Sequence, residues 1–186
     1  MGRLIFSAIG SLDGYLTDPE GHFDWAVPDE EVLADVNAEA RGIGTYLYGR
    51  RTYEMMTGWE TDPSTAAQSP ESAEFAEIWR GAEKVVYSTT LSTPGTHRTR
   101  LERTFEATEV ERIKRRSTAD LYVGGPTLAA HAMRLGVVDR LHLVLCPILV
   151  GGGLAILPDD VRVDLRLDTQ HRYGNDMISL RYDIVG

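Results

Sequence analysis

Blocks of apolar residues along this chain alternate with segments in which apolar residues recur at helical spacing. The apolar blocks have the length of strands and comprise residues 3–12, 45–48, 84–90, 121–123 and 141–149. The amphipathic segments between them predict helices at residues 29–41, 71–80, 109–116 and 126–135. Strands that alternate with helices in this way predict an α/β fold built on a mostly parallel sheet.

The last part of the chain has a different pattern. Residues 161–168 alternate between apolar and polar, so their apolar members would share one side of a strand. Residues 177–184 have strand-forming composition, and Gly174 and Asn175 between the two segments favour a turn. These segments predict an antiparallel hairpin that ends the sheet.

Two predicted strands run through glycine directly into a predicted helix. The first transition is Gly49-Arg50-Arg51-Thr52 and the second is Gly124-Gly125-Pro126. Free N–H groups at a helix start favour phosphate, and glycine lets a ligand approach the backbone closely. The first transition adds a hydroxyl and guanidinium charge. Taken alone, each transition is also compatible with an ordinary tight turn.

A set of short motifs extends these two transitions along the chain. In the first half it is Gly49-Arg50-x-Thr52-x-Glu54, and in the second half it is Val123-Gly124-Gly125-Pro126, Val138-Asp139-Arg140-Leu141, Pro147 and Gly151-Gly152-Gly153. This set resembles the dihydrofolate reductase-like superfamily, and most closely its RibD C-terminal family of riboflavin biosynthesis reductases. The resemblance implies one domain over residues 1–186, folded as a three-layer α/β/α sandwich with an antiparallel C-terminal hairpin.

The resemblance also implies a cofactor, NADPH, and the residues that contact it. Backbone groups of Ala8 and Ile9 would meet the carboxamide of the nicotinamide ring. The other cofactor-binding candidates are Gly49, Arg50, Arg51, Thr52, Ser88, Thr89, Gly124, Gly125, Pro126, Thr127 and Leu128. An arginine on the 2′-phosphate would select NADPH over NADH. The alternative is that both arginines are solvated and that Ser88 and Thr89 are an ordinary strand end.

Three residues are candidates for the substrate side. Residues 15–28 predict an ordered loop over the pocket, in which Trp25 matches a W-x-x-P pattern of the family. Asp13, in the turn before that loop, would border the substrate, or it bonds only its own turn. Glu30 matches a carboxylate that faces the substrate in folate-reducing relatives, and would deliver a proton. The alternative for Glu30 is that it only stabilises the helix dipole.

Composition narrows the class of protein further. The 186 residues are 42% hydrophobic, which suits one domain with a sizeable core. A formal charge of -9, from 28 acidic and 19 basic residues, argues against nucleic acid and anionic membrane as partners. The single cysteine, Cys146, lies in an apolar block, and the five histidines lack metal-binding spacing, so we expect no metal site. Without a leader or membrane-length apolar stretch, a cytoplasmic location is expected.

The family resemblance implies an NADPH-dependent reductase that passes hydride to a small heterocycle. Hydride chemistry belongs to the cofactor, which fits a sequence without a nucleophile motif. The substrate implied most directly is 5-amino-6-(5-phosphoribosylamino)uracil, although no basic cluster for its phosphate is evident. Two alternatives are a dihydrofolate reductase-like enzyme with another substrate, and a non-catalytic nucleotide-binding module. The family also implies a homodimer that pairs through its C-terminal strands.

Overall fold

Eight strands form one sheet in the computed structural model, which describes residues 1–185. In chain order they are β1 (Leu4–Ser11), β2 (Ile43–Gly49), β3 (Glu83–Tyr87), β4 (Thr99–Glu102), β5 (Asp120–Gly124), β6 (Arg140–Cys146), β7 (Asp164–Arg172) and β8 (Ile178–Val185). Their order across the sheet is β4-β3-β2-β5-β1-β6-β8-β7. Pairs from β4 to β6 are parallel, whereas β8 is antiparallel to β6 and β7. The predicted sheet with an antiparallel terminal hairpin is therefore confirmed.

Helices connect the strands and cover both faces of the sheet. They are α1 (Glu30–Ala40), α2 (Arg50–Met56), α3 (Gly58–Thr61), α4 (Pro63–Ala66), α5 (Pro70–Gly81), α6 (Ala107–Arg116) and α7 (Pro126–Arg134), with a short 3-10 turn at Asp24–Ala26. Leu4 and Phe6 of β1 belong to the core cluster beneath α6 and α7. Ile5, between them, points to the opposite face and packs in the cluster that contains Trp79 of α5. The architecture is the predicted three-layer sandwich.

β1 is the centre of the sheet. It pairs in parallel with β5 on one side and with β6 on the other. Leu4, Ile5 and Phe6 are all buried, because helices cover both faces of the sheet. This double burial explains why residues 3–12 lack clean alternation, as is typical of strands in parallel sheets.

Three local features differ from the sequence prediction. Residues 57–70 form two four-residue helices, the second begun by the Asp62 side chain accepting from Ser64 N–H at 2.9 Å. β7 begins at Asp164 rather than residue 161, and its residues are exposed because it is an edge strand. Leu135 lies after the end of α7 and is exposed, so the buried face of α7 contains Met133 instead. Within residues 1–185, no helix combines the length and apolarity needed to span a membrane.

Candidate active site

The two glycine-containing helix beginnings lie side by side at the carboxyl ends of two neighbouring strands. β2 and β5 are parallel neighbours with Tyr48 opposite Gly124, so α2 and α7 both begin where these strands end. Gly125 caps α7 with a φ of 88°, in the region that favours glycine. A Cβ at Gly125 would overlap the hydroxyl of Thr52 in the first turn of α2. The two motifs therefore form one continuous surface.

A cavity of about 500 Å³ extends inward from this surface. Its wall is drawn from β1, β2 and β5, from α1, α2 and α5, and from the loops that follow β1 and β6. Six of the residues predicted to bind the cofactor line it: Ala8, Ile9, Arg51, Thr52, Gly125 and Pro126. A cavity of this volume is typical of small-molecule sites in enzymes.

The two neighbouring arginines of α2 have different surroundings. Arg50 donates to Glu54 at 2.7 Å and to Thr90 at 2.9 Å, so its guanidinium is already engaged. Arg51 lies on the cavity wall and is exposed, and it is the only Lys or Arg there among the described residues. Within residues 1–185, no hydrogen bond or ion pair involves the side chain of Arg51. Its charge is therefore available to a ligand.

The remaining cofactor candidates do not line the cavity. Ser88 shapes the turn after β3, because its hydroxyl accepts from the N–H groups of Thr90 and Leu91 at 3.2 and 3.0 Å. Thr89 is exposed on that turn. The other four, which end strands or lie in the first turn of α7, are Gly49, Gly124, Thr127 and Leu128.

The three substrate candidates are not brought together. The Asp13 carboxylate accepts from the N–H groups of Val150 and Gly151 at 3.2 and 2.7 Å, and so holds the glycine turn. Trp25 packs against the core cluster beneath α1. Glu30 lies in a separate open groove beside the end of the α4–α5 connection. None of the three is on the wall of the 500 Å³ cavity.

A carboxylate that the sequence analysis missed does line the cavity. Glu39, in the last turn of α1, is the only Asp or Glu on the wall within the described part of the chain. Its side chain is 14% exposed. Glu39 follows Val32 and Val36 at helical spacing, on the apolar side of the helix. An acidic residue on an apolar stripe is the sequence signal that identifies it.

The carboxylate of Glu39 is hydrogen-bonded to a buried histidine of β6. Its Oε2 atom lies 2.9 Å from Nδ1 of His142, which is 0% exposed. The other ring nitrogen, Nε2, lies 2.8 Å from the hydroxyl of Ser179, and the Ser7 hydroxyl lies 3.3 Å from Nδ1. The hydrogen bond from Nδ1 to the carboxylate fixes the orientation of Glu39.

A cation and a second acid extend this network. Nε of Arg181 lies 3.8 Å from Oε1 of Glu39, which is an ion pair but beyond hydrogen-bond distance. The same guanidinium donates to Asp35 at 2.8 Å, and the Tyr173 hydroxyl also donates to Asp35. Burial acts to raise the pKa of Asp35, but the hydrogen bonds from Tyr173 and Arg181 outweigh it and lower that pKa.

Three tyrosines of β2 and β5 form the floor of the inner part of the cavity. The Tyr46 ring lies 5.6 Å from the Tyr48 ring and 5.4 Å from the Tyr122 ring. Tyr122 donates to the Ser7 carbonyl at 3.0 Å, and Tyr48 accepts from Trp79 at 3.1 Å. The Tyr46 hydroxyl is buried and has no partner among residues 1–185. Burial raises the pKa of all three, so they are neutral phenols.

The model of the RibD C-terminal domain matches residues 3–179. The chain belongs to this family. The family points to a reductase and agrees with the predicted fold and with the resemblance in the glycine motifs. No group of three or more His, Cys, Asp or Glu side chains in the described part of this family member is arranged to hold a metal ion.

Two relatives differ in how much of their length this family member spans. It is 35% identical over 179 residues to riboflavin biosynthesis protein RibD of Mycobacterium tuberculosis, covering 90% of this chain and 50% of that protein. It is 23% identical over 189 residues to the uncharacterized protein YyaP of Bacillus subtilis, covering 97% and 94%. The chain thus spans half the length of RibD and nearly all of YyaP.

Solved structures agree on the fold. A crystal structure from Shewanella sp. PV-4 matches with a TM-score of 0.77 at 19% identity, covering 99% of both chains. The Thermotoga maritima diaminohydroxyphosphoribosylaminopyrimidine deaminase/5-amino-6-(5-phosphoribosylamino)uracil reductase matches with a TM-score of 0.66 at 14% identity, covering 99% of this chain and 57% of that one. At these identities the likeness supports the three-layer architecture and the terminal hairpin.

Proposed function

We propose that this member of the RibD C-terminal family is an NADPH-dependent reductase of a small nitrogen heterocycle. The observation that carries the proposal is the contact between Gly125 and Thr52, which joins two helix beginnings at the mouth of one cavity. The N–H groups at the start of α7 and the uncommitted Arg51 suit the phosphates of a dinucleotide. Ala8 and Ile9 lie on the same wall, where a nicotinamide ring would pack.

The chain's own residues would bind, orient and screen, because the reduced nicotinamide supplies the hydride. Leu16 and Phe23, from the loop after β1, also line the cavity and would exclude water from the reacting atoms. Arg51 would select the 2′-phosphate, so NADPH is favoured over NADH. Glu39 and the tyrosines would face the acceptor ring.

The activity in the name of the Thermotoga protein makes 5-amino-6-(5-phosphoribosylamino)uracil the first acceptor to test on this chain. Arg51 is the single cation on the wall among the described residues, and it serves either the cofactor's 2′-phosphate or a phosphate of the substrate. Two phosphate groups in one cavity with one cation would repel each other. The wall therefore favours an unphosphorylated ring over the phosphoribosyl compound.

Two measurements on the purified chain test the reductase. NADPH fluorescence should saturate on titration with protein, with a lower Kd than that of NADH. Loss of absorbance at the wavelength of the reduced nicotinamide should then follow addition of an acceptor, drawn from the phosphoribosyl pyrimidine, its unphosphorylated riboside and reducible pterins. NADPH binding without oxidation by any of these acceptors would favour the non-catalytic module, and absence of binding would reject both functions.

We also propose that two copies of the chain pair through β7. β7 is an edge strand, and Leu165 and Leu167 on it are 41% and 47% exposed. An edge strand with exposed apolar residues favours pairing with another strand. Light scattering should give twice the mass of the chain, and Leu165→Lys with Leu167→Lys should give the single mass. A wild-type monomer at micromolar concentration would refute the dimer.

A further inference from the structure

We propose that the substrate carries an apolar substituent, and that Phe23, Met55 and Leu154 bind it where the cavity opens to solvent. These three residues are called the apolar rim. The substituent that fits them is an aryl group on the heterocycle, at the place where the substrate named for the Thermotoga protein carries a phosphoribosyl group. This inference rests on the reductase function proposed above, because it assigns a class of substrate to the same cavity.

The exposure of the apolar rim is the first observation. Within residues 1–185, four residues of the cavity wall are exposed, and they are Arg51 and the three members of the rim. Phe23 is 58% exposed, Met55 66% and Leu154 47%. Single exposed apolar side chains are common on protein surfaces, but these three come from separate segments and line one concave cavity. Their convergence marks a binding site for an apolar group.

Two members of the rim lie on loops that hydrogen bonds hold in place. The Leu16 N–H, in the loop after β1, donates to the carbonyl of Leu154 in the loop after β6 at 2.7 Å. Just before Phe23, the Asp18 N–H donates to the His22 carbonyl at 2.9 Å, and the His22 N–H donates to the Asp18 carboxylate at 2.8 Å. Because these loops are already ordered, a ligand does not have to order them when it binds.

Apolar side chains of α2 and α5 continue the rim along the cavity wall. Met56 follows Met55 on the wall, and Phe75 contributes a ring that packs edge-to-face on Trp59, with 4.8 Å between the ring centres. Methionine side chains are flexible and adapt to the shape of a ligand, whereas phenylalanine rings favour aromatic partners. Phe23 and Phe75 therefore favour an aryl group, and the two methionines adapt to its shape.

The charges on the wall disfavour a phosphorylated substituent. Arg51 lies one helical turn before Met55 and is the only Lys or Arg on the wall among the described residues. In the proposed function, Arg51 serves the 2′-phosphate of the dinucleotide. A second phosphate would meet no other cation there, and it would lose hydration against apolar side chains. An aryl group has no such cost, and it gains affinity as its surface leaves water.

Binding of two matched uracils tests the rim without any turnover. 6-(Benzylamino)uracil and 6-(methylamino)uracil share the ring and the exocyclic amine, and only the first carries an aryl group. The wild-type chain should bind the benzyl compound about 10-fold more tightly in calorimetry, which requires about 55 Å² of apolar surface to leave water. 5-Amino-6-(5-phosphoribosylamino)uracil should bind more weakly than the benzyl compound, and tighter binding of this phosphate would overturn the proposal.

A double variant makes the rim polar while it keeps the approximate size of the side chains. Met55→Gln combined with Leu154→Asn should bind both compounds with the Kd of the methyl compound, so the benzyl advantage is lost. Leu149→Asn is the control, because Leu149 is 70% exposed on the loop after β6 and lies outside the cavity. That variant should keep the benzyl advantage. Since all three side chains are exposed, melting temperatures should stay within about 2 °C of the wild type.

Two further measurements detect other occupants of the rim. Light scattering of the double variant should give the wild-type mass, and a halved mass would mean that a second copy of the chain covers the rim. Saturating NADPH should leave binding of the benzyl compound unchanged or make it tighter. Competition between NADPH and the benzyl compound would assign the rim to the cofactor. Either contrary result overturns the proposal.

The outcomes distinguish the apolar rim from the reductase itself. If NADPH is bound and oxidised while the benzyl compound has no advantage, or keeps its advantage in the double variant, the rim is refuted and the reductase stands. If NADPH does not bind but the double variant loses the benzyl advantage, the rim stands as a binding site and the reductase is refuted. Failure of the wild-type chain to bind the benzyl compound at millimolar concentration also overturns the rim.

Discussion

The two ends of the cavity are built from different kinds of chemistry. The outer end, at Gly125 and Thr52, presents backbone at two helix beginnings, and each beginning is encoded by three or four consecutive residues. The inner end depends on side chains from distant segments, such as Ser7 on the wall and His142 behind it, which are 135 residues apart. Backbone donors suit a phosphate that many proteins bind, whereas side chains distinguish one ring from another. In the proposed function, the outer end would therefore select a class of phosphate-containing ligands, and the inner end would select one ring.

The largest expected effect comes from a methyl group at the outer end. Gly125→Ala places a Cβ against the Thr52 hydroxyl at a backbone φ of 88° that alanine rarely adopts. We expect the Kd for NADPH to rise about 100-fold, since displacement of the helix beginning misplaces its donors. Gly136→Ala is the matched control, with a φ of 67° and nothing within 4 Å. It should cost about 1 kcal/mol of stability and leave the cofactor Kd unchanged.

A double variant shows whether the clash is the cause. Thr52→Ala removes the hydroxyl that the new Cβ would overlap, and leaves the Thr52 Cβ at 3.3 Å. Gly125→Ala combined with Thr52→Ala should therefore recover part of the lost stability. If the double variant instead loses as much stability as the two single variants together, the close approach of the two helix beginnings is not what Gly125 provides.

The second prediction compares the two arginines at the outer end. Arg51→Ala should raise the Kd for NADPH about 10- to 100-fold and change that for NADH little, because only NADPH carries the 2′-phosphate. Arg50→Ala is the control, since Arg50 already bonds Glu54 and Thr90. Equal losses for both cofactors in Arg51→Ala would remove Arg51 from the 2′-phosphate.

The fold was predictable because most of its elements have a clear hydrophobic period. The helix expected at residues 109–116 is α6 (Ala107–Arg116), and the strand expected at 84–90 is β3 (Glu83–Tyr87). The strand expected at 161–168 is β7 (Asp164–Arg172), so its bounds were misplaced. Because every residue of this edge strand is exposed, no buried side defines its hydrophobic pattern or its ends. The four-residue helices α3 and α4 are too short to show a period; both pack against α5, and α4 is also capped by Asp62.

The outer end of the site was also predictable, and the inner end was not. Glycine, proline and arginine at a strand end imply their local geometry directly, and Gly125, Pro126 and Arg51 indeed share one surface. The relation of Glu39 to His142 depends on the register of β6 beside β1, which no local pattern in α1 contains. The sequence alone therefore does not show which distant side chains come together at this site.

The third prediction concerns the charge network behind the inner end. Because the folded pKa of Asp35 is lowered, its ion pair contributes stability that is present above the ordinary pKa near 3.8 and is lost as pH falls through the folded pKa. Arg181→Met should lower the melting temperature at pH 7 by about 5 °C. The gap to wild type should narrow below about pH 3.8, as Asp35 takes up a proton in both proteins.

A surface ion pair provides the control for that network. Arg172 pairs with Asp176, and their side chains are 76% and 65% exposed. Arg172→Met should change the melting temperature by less than about 2 °C at either pH, because exposed pairs contribute little. A gap between Arg181→Met and wild type that stays constant down to pH 2 would show that lost packing, rather than the charge on Asp35, explains the Arg181 effect.

The smallest expected effect separates the two carboxylates of α1. Glu30 begins the helix and lies in an open groove, whereas Glu39 ends it and lies on the cavity wall. Glu30→Gln should change turnover with any accepted heterocycle less than about two-fold, since a single exposed charge at a helix start affects mainly helix stability. Initial rates of NADPH oxidation measure this, beside the same substitution at Glu39. A loss of turnover in Glu30→Gln with unchanged melting temperature would mean that a loop movement brings Glu30 to the substrate, and the inner end would then begin at the start of α1.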